Sequence, residues 1–406
     1  MTSPAPPTRA DAVALDRVNP LARFRDRFVG LGDDAYLMGN SLGPLPAATE
    51  ARLVELTREG WGGRKVEGWD EWLDLPTRVG DRLGRLLGAG PGQVVVGDST
   101  SVQLFKLLHA ALDGRPEATA VAVADDEFPT DRYLVDGVAG SRGLEVRTVP
   151  TDGPDGPVTA AAVSEVCDDG AVGVLLASLV RYRTSARADM AAVTAAAQDG
   201  GALVLWDLSH AAGSVPVDLD GTGTDLAVGC TYKYLNAGPG APAFAYRARR
   251  HADLHQPIHG WFGQADQFAT EAAYDPHPDA RQLLVGTPPV AGLLAVDEGL
   301  ALHEEAGADR TDAVGRSLMA LVTTAAQAAL VPLGVAVATP LDPACRGQHL
   351  ALRHHDARAL VASLAGDGIV ADHREPDVVR LAAAPLHTRF VDLWDAVESL
   401  RRQLTS

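Results

Sequence analysis

Between residues 53 and 246 the chain alternates short apolar runs with helix-patterned runs, and this alternation limits the possible folds more than any other feature. Strand-length runs lie at Val94–Val96, Ala118–Ala124, Glu145–Val149, Val172–Ala177, Ala202–Trp206, Leu226–Cys230 and Ala243–Tyr246. Helical patterns separate several of them, at Val102–Leu112, Ala160–Val166 and Met190–Ala197. Apolar strands spaced by helices predict a mostly parallel sheet covered on both faces, here seven-stranded and doubly wound. The later part differs. Long helices over Pro289–Glu305 and Ala313–Leu330 precede short strands at Val335–Ala338, His349–Arg353, Ile369–Asp372 and Val378–Ala382. Helices at Ala357–Ala365 and Phe390–Leu404 complete it. The α/β reading is therefore a large domain over residues 53–295 and a smaller α+β domain over 296–406, with residues 1–52 packing on the small one.

Composition narrows the partners. With 35 Lys+Arg against 53 Asp+Glu, the net charge of −18 argues against nucleic acid and anionic membrane, which both attract clustered cations. No apolar run approaches the roughly 18 residues of a membrane helix. Met1-Thr-Ser-Pro-Ala-Pro-Pro has neither a basic nor an apolar signal segment and reads as a frayed tail, so a cytoplasmic location is expected. Cys167, Cys230 and Cys345 are too scattered for a disulfide framework or a metal site, which fits a reducing compartment.

In open parallel sheets ligands bind at the carboxyl ends of the strands, so the residues following each run carry the chemistry. Gly97-Asp-Ser-Thr-Ser101 follows Val94–Val96 and opens a helix. Ser99 and Thr100 there suit an anion, or serve as an ordinary N-cap. Asp125-Asp-Glu-Phe-Pro-Thr-Asp131 follows the next run, where Phe128 offers a stacking face and Asp131 a carboxylate; a capped loop is the plain alternative. Asp207 ends five apolar residues and needs a partner if buried, unless it simply caps a helix. Lys233, between Tyr232 and Tyr234, is costly beside a buried strand unless neutral, paired or covalently used; a solvated lysine is the alternative.

Singly these signals are weak. Together they supply a phosphate cradle, a carboxylate for a ring nitrogen and an imine-forming lysine, which are the needs of pyridoxal 5′-phosphate (PLP). No G-x-G-x-x-G follows a strand, no Walker A sequence occurs, and no His/Cys cluster has metal-ligand spacing.

The chain resembles the kynureninases, fold-type-I PLP enzymes of the aminotransferase class V group. The resemblance rests on Tyr36-Leu-Met-Gly-Asn-Ser-Leu-Gly43, Gly97–Lys106, Phe128-Pro-Thr-Asp131, Trp206–Asp218, Gly229–Gly240, Gly260-Trp-Phe-Gly263, Gly286-Thr-Pro-Pro289, Arg374-Glu-Pro and Arg380. It implies that Lys233 is the Schiff-base lysine and α-proton base, that Asp207 faces the pyridine nitrogen and that His210 lies beside the phenolic oxygen. Ser99, Thr100 and Tyr232 then bind phosphate, Phe128 stacks on the ring and Asp131 sits near its nitrogen. Tyr232 is also a candidate proton donor. The resemblance further implies that Trp261 and Thr287 reach the phosphate of a neighbouring subunit in a homodimer with shared sites. Arg380 becomes the anchor of an amino-acid carboxylate, with Asn40 and Ser41 beside the substrate. The implied reaction is hydrolytic Cβ–Cγ cleavage of L-kynurenine or 3-hydroxykynurenine.

Departures bear on the substrate. Leu179-Val-Arg-Tyr-Arg-Thr-Ser185 replaces a usual His-Val-Asn-Tyr-Lys-Thr-Gly, Met38 replaces a common Asp, and His373 and His387 stand where Tyr is frequent. Arg181 and Arg183 motivate a second reading, a related PLP enzyme acting as a C–C lyase, aminotransferase or epimerase on another amino acid. A desulfurase fits less well, since Cys167 and Cys230 fall in or near core elements and Cys345 lies far upstream of Arg380.

Overall fold

The computed structural model describes residues 6–269 and 273–405, so most of the expected N-terminal tail lies outside it. Seven strands form the large sheet: β1 (Val94–Val96), β2 (Ala120–Ala124), β3 (Glu145–Val149), β4 (Val172–Ser178), β5 (Leu203–Asp207), β6 (Leu226–Gly229) and β7 (Phe244–Arg247). Their order is β1-β7-β6-β5-β4-β2-β3, and only β7 runs against its neighbours. The carboxyl ends of the other strands therefore share one edge.

Helices α1 (Thr100–Asp113), α2 (Pro129–Arg142), α3 (Ala160–Cys167) and α4 (Met190–Asp199) connect the strands. Alternate residues of each strand enter two separate cores. Val95, Val121, Val123, Val174, Leu176, Leu205 and Val228 pack with α1 and α2. Val94, Val96, Ala122, Leu175, Val204, Trp206 and Ala227 pack with α3 and α4 on the other face. Burial on both faces explains why the strands other than edge strand β3, with exposed Glu145 and Thr148, read as largely apolar runs. The two large polar-tipped residues there are satisfied: Trp206 donates Nε1–H to Thr194 Oγ1 at 3.0 Å, and the Tyr246 hydroxyl donates to Asp220 Oδ1 at 2.9 Å.

A further core joins α6 (Ala308–Ala329) and α7 (Phe390–Thr405) to an antiparallel sheet of β8 (Ala336–Val337), β9 (His349–Arg353), β10 (Asp372–Arg374) and β11 (Val378–Ala382), in the order β10-β11-β9-β8. N-terminal residues Ala12, Leu21, Phe24, Phe28 and Leu37 belong to this core. Helix α5 (Val290–Ala306) bridges the units, with Leu293 and Leu300 in the large core and Leu302 and Ala306 in the small one. The run expected at Ile369–Asp372 is split: Ile369–Val370 pairs with Ala35–Tyr36, and Asp372 starts β10. Helix α6 is long and apolar enough to cross a membrane by composition, but Val314, Leu318, Met319 and Val322 are buried in this core.

Candidate functional site

A cavity of about 520 Å³ opens at the carboxyl edge of the large sheet. It is walled by Ser99 and Thr100 after β1, Phe128 and Asp131 after β2, Asp207 and His210 after β5, and Tyr232 and Lys233 after β6. Eight residues singled out from the sequence thus meet in one place, because parallel strands deliver their loops to a common edge.

Lys233 Nζ lies 3.5 Å from His210 Nδ1 and 5.8 Å from the Tyr232 ring centre. Burial, with help from Lys233, pushes the His210 imidazolium well below its ordinary range, so His210 is neutral. Burial raises the Tyr232 hydroxyl and Cys230 adds to it, so Tyr232 keeps its proton. The lysine loop depends on an N-terminal contact. Gly43 N–H donates to Tyr232 O at 2.8 Å, and a Cβ on Gly43 would stand 2.3 Å from Lys233 O. No side chain fits there, which gives the second glycine of Gly39-Asn-Ser-Leu-Gly43 a steric reason.

The acidic side holds three carboxyl groups. β4 and β5 pair Ser178 with Asp207 at the mouth of the sheet, and Asp207 Oδ1 accepts from Ser209 N–H at 2.6 Å. Asp131 Oδ2 is buried without a partner, and burial followed by the charges of Asp207 and Glu127 pushes its carboxyl well above the usual range. Glu127, buried behind them, is pushed up to about 7, mainly by burial. It accepts from Ser178 N–H at 2.6 Å and Phe128 N–H at 3.0 Å and also bonds the Ser178 hydroxyl, clamping β4 to the loop that presents Phe128. The Phe128 ring meets Tyr182 edge-on, centres 5.4 Å apart.

Glu127 has a stability consequence. A carboxyl raised from 4.5 to about 7 favours the folded state while both forms are protonated, and that contribution is lost as pH rises from about 4.5 through 7. Asp131 acts in the same direction. The cofactor-free protein is expected to lose roughly 2–5 °C of melting temperature between pH 5 and 8 through Glu127, and Glu127→Gln to flatten that slope. Parallel slopes for the two proteins in scanning calorimetry would contradict the assignment.

Other sequence candidates sit elsewhere. Arg380 is fully buried outside the cavity wall, donating to the Tyr182 carbonyl and to Asp372, with its Nε unpartnered. Asn40 is buried with both amide atoms unpartnered, and Ser41 N–H donates to Met38 O at 2.8 Å. Trp261 and Thr287 are exposed and do not line the cavity. Arg181 is buried, paired with Asp126 at 2.5 Å and donating to the Pro154 and Gly156 carbonyls. Arg183 donates to Glu375 O at 2.6 Å. Neither arginine faces the cavity. Glu127, Ser178 and Tyr182 were not singled out from the sequence. Ser178 stands directly at the carboxyl end of β4, the position that the strand-end rule marks.

A lysine amine, an opposed carboxylate and a hydroxyl-lined helix N-terminus around one cavity suit a phosphorylated aromatic aldehyde. Comparison with known proteins agrees. Residues 313–400 match the family model of the kynureninase C-terminal domain. The kynureninase of Deinococcus radiodurans is 43% identical over 399 residues, covering 95% of this chain and 94% of the relative. That of Burkholderia pseudomallei is 39% identical over 410 residues, covering 97% and 95%. Among solved structures, a cysteine desulfurase from Thermococcus onnurineus superposes with a TM-score of 0.81 at 14% identity, covering 94% of this chain and 98% of that one. A mutant of C-DES with glycine covalently linked to its PLP cofactor gives 0.79 at 17% identity, covering 94% and 99%. These structural likenesses show the shared fold.

Proposed function

The chain belongs to the kynureninase family, and from that premise we infer how its own residues serve the reaction. It is an enzyme that cleaves the Cβ–Cγ bond of L-kynurenine, or 3-hydroxykynurenine, with water, giving anthranilate, or 3-hydroxyanthranilate, and L-alanine in tryptophan catabolism.

The cofactor in this reading is PLP, and the residues present fit it: a lysine amine, an unpartnered buried carboxyl oxygen on Asp131, and Ser99 and Thr100 at a helix start share one cavity. When bound, PLP supplies a sink for the electron pairs released at the substrate carbons. Lys233 holds the cofactor and moves the substrate α-proton. Asp207 accepts the pyridine N–H, while Asp131, kept neutral by burial and by Asp207, shares that end without adding a second charge. Neutral His210 and Phe128, both on the cavity wall, would hold the cofactor ring, His210 by a hydrogen bond to its phenolic oxygen and Phe128 by stacking. Ser99, Thr100 and Tyr232 take the phosphate. The protonated Tyr232 hydroxyl, on the same cavity wall as Lys233, would also serve as the donor of a proton to the departing carbon.

The substrate end belongs to Arg380, Asn40 and Ser41 in this reading. Asp372 and the Tyr182 carbonyl fix the Arg380 guanidinium plane and leave its Nε edge for a carboxylate. Exposed Trp261 and Thr287 complete the site of a second copy, making the protein a homodimer with shared sites. The acidic charge and the three free cysteines suit a cytoplasmic enzyme without nucleic-acid or membrane partners. We keep residues 1–52, 53–295 and 296–406 as the domain division.

The observation that carries the reading is the meeting of Lys233, Asp207, Ser99 and Thr100 around one cavity. Its test is anthranilate fluorescence after mixing the purified protein with L-kynurenine, where anthranilate and alanine are expected in equal amounts. Alanine without anthranilate, or neither, would sink it. The alternative substrate reading drew on Arg181 and Arg183, and both are spent on Asp126 and on backbone carbonyls away from the cavity. For sulfur chemistry the cysteines are poorly set up. Burial raises the Cys167 thiol to about 11, and burial with Asp342 raises that of Cys345.

A further inference from the structure

The phosphate-facing loop contains a residue that works against its purpose. Asp98 lines the cavity beside Ser99 and Thr100, so a carboxylate stands where a dianion is to bind. Its backbone is also in the left-handed region, φ +51°, which few non-glycine residues adopt. That turn aims the start of α1 into the cavity: Ser99 caps the helix, its Oγ accepting from Val102 N–H at 3.4 Å.

Both oddities lead to one side chain. Lys106, nearly two turns into α1, is completely buried, and its ammonium meets Asp98 Oδ2 at 2.7 Å and the Leu283 carbonyl. Burial alone drives a lysine toward its neutral form, and Asp98 opposes this. The rest of the loop is held as firmly. Gly97 N–H donates to Ala243 O at 2.8 Å, Ala243 N–H donates to Asp98 O at 2.9 Å, and buried Gln103 donates to Gly97 O at 2.8 Å. Within residues 97–101 Asp98 is the one charged side chain on the cavity wall, and its ion-pair partner among the described residues is Lys106.

We propose that Lys106 is a positioning residue for the cofactor phosphate: it neutralises Asp98, so that the N-terminus of α1 faces the phosphate without a competing negative charge. The proposal rests on the PLP reading above. Lys106 does not itself line the cavity, so it acts through Asp98 and not by contact with the phosphate.

The test uses the reconstituted holoenzyme and reads cofactor binding. Lys106→Met is expected to raise the PLP dissociation constant by about tenfold or more, because it leaves Asp98 unpaired beside the phosphate. Binding of pyridoxal, which lacks the phosphate, should stay within about twofold, since no phosphate is present to be repelled. The ³¹P resonance of bound PLP should move as well. In Lys106→Met with Asp98→Asn the affinity should recover, because the unpaired charge is gone. Asp98→Asn alone is a second route if Lys106→Met does not fold. Asparagine tolerates the left-handed turn and removes the carboxylate, so PLP should bind as tightly as in the wild type or more so. Equal losses for PLP and pyridoxal with no recovery in the double variant would mean a packing role and overturn the proposal. So would unchanged PLP affinity in Lys106→Met, or a tenfold loss in Asp98→Asn. A wild-type protein that takes up no PLP would instead sink the cofactor reading, and this proposal with it.

Discussion

Replacing Lys233 with alanine is expected to remove the absorbance of the lysine-bound cofactor and to lower anthranilate release by about 10⁴-fold or more. The amine has two duties in this site, holding the cofactor and moving the α-proton, and no other lysine lines the cavity. His210 cannot stand in as a strong base, because burial keeps its basicity low. The fold should survive. The Lys233 side chain contacts His210, while its backbone carbonyl accepts from Asn236 N–H at 3.0 Å and would do so with alanine in place. Removing a partly buried amine whose one hydrogen-bond contact is the long one to His210 costs little packing. A variant that melts like the wild type but keeps its spectrum would refute the assignment of the lysine.

Asp207→Asn is expected to cost roughly 10²–10³ in turnover. Asparagine fills the same space at the end of β5 and still accepts the Ser209 N–H, but at this buried position it carries no charge to hold a positive ring N–H. Exchange of the substrate α-proton with deuterated water should slow in parallel, because the same charge stabilises both steps. Asp131 complicates the result in a useful way. Its carboxyl is raised partly by the Asp207 charge, so removing that charge lets Asp131 ionise more readily and take over part of the role. Asp131→Asn added to Asp207→Asn should therefore cost more than in the wild-type background. Wild-type exchange and turnover in Asp207→Asn would contradict the pairing.

Much of this arrangement was readable before any coordinates. Strand ends predicted at Val96, Ala124, Ala177, Trp206 and Cys230 fall within one residue of those observed, because a buried apolar run stops within a residue of its strand's end. Residues following them then meet by topology alone. What escaped the sequence was pairing across long separations. Glu127 looks like one more acid in a polar loop until Ser178, 51 residues later, is seen to donate to it. Arg181 and Arg183, in the loop after β4, suit from the sequence an acidic substrate group, the phosphate or a partner chain; loop side chains are free to turn, and these turn to Asp126 and to the Glu375 carbonyl. Arg380 was placed at the substrate without its own counter-ion, since nothing in the local pattern ties it to Asp372 across a two-strand turn. The start of α6 came five residues earlier than predicted, because its polar first turn hides the period that identified the rest.

The glycine contact on the lysine loop also bears on when the enzyme becomes competent during its own synthesis. The arm that carries Gly43 leaves the ribosome early, yet Ala35 and Tyr36 hydrogen-bond beside Ile369 and Val370, and Leu37 O receives the amide of Ala382. Those docking sites are synthesised well after the last strand of the large sheet, which ends at Arg247, so the catalytic loop gains its N-terminal backing only once residues 369–382 have been made.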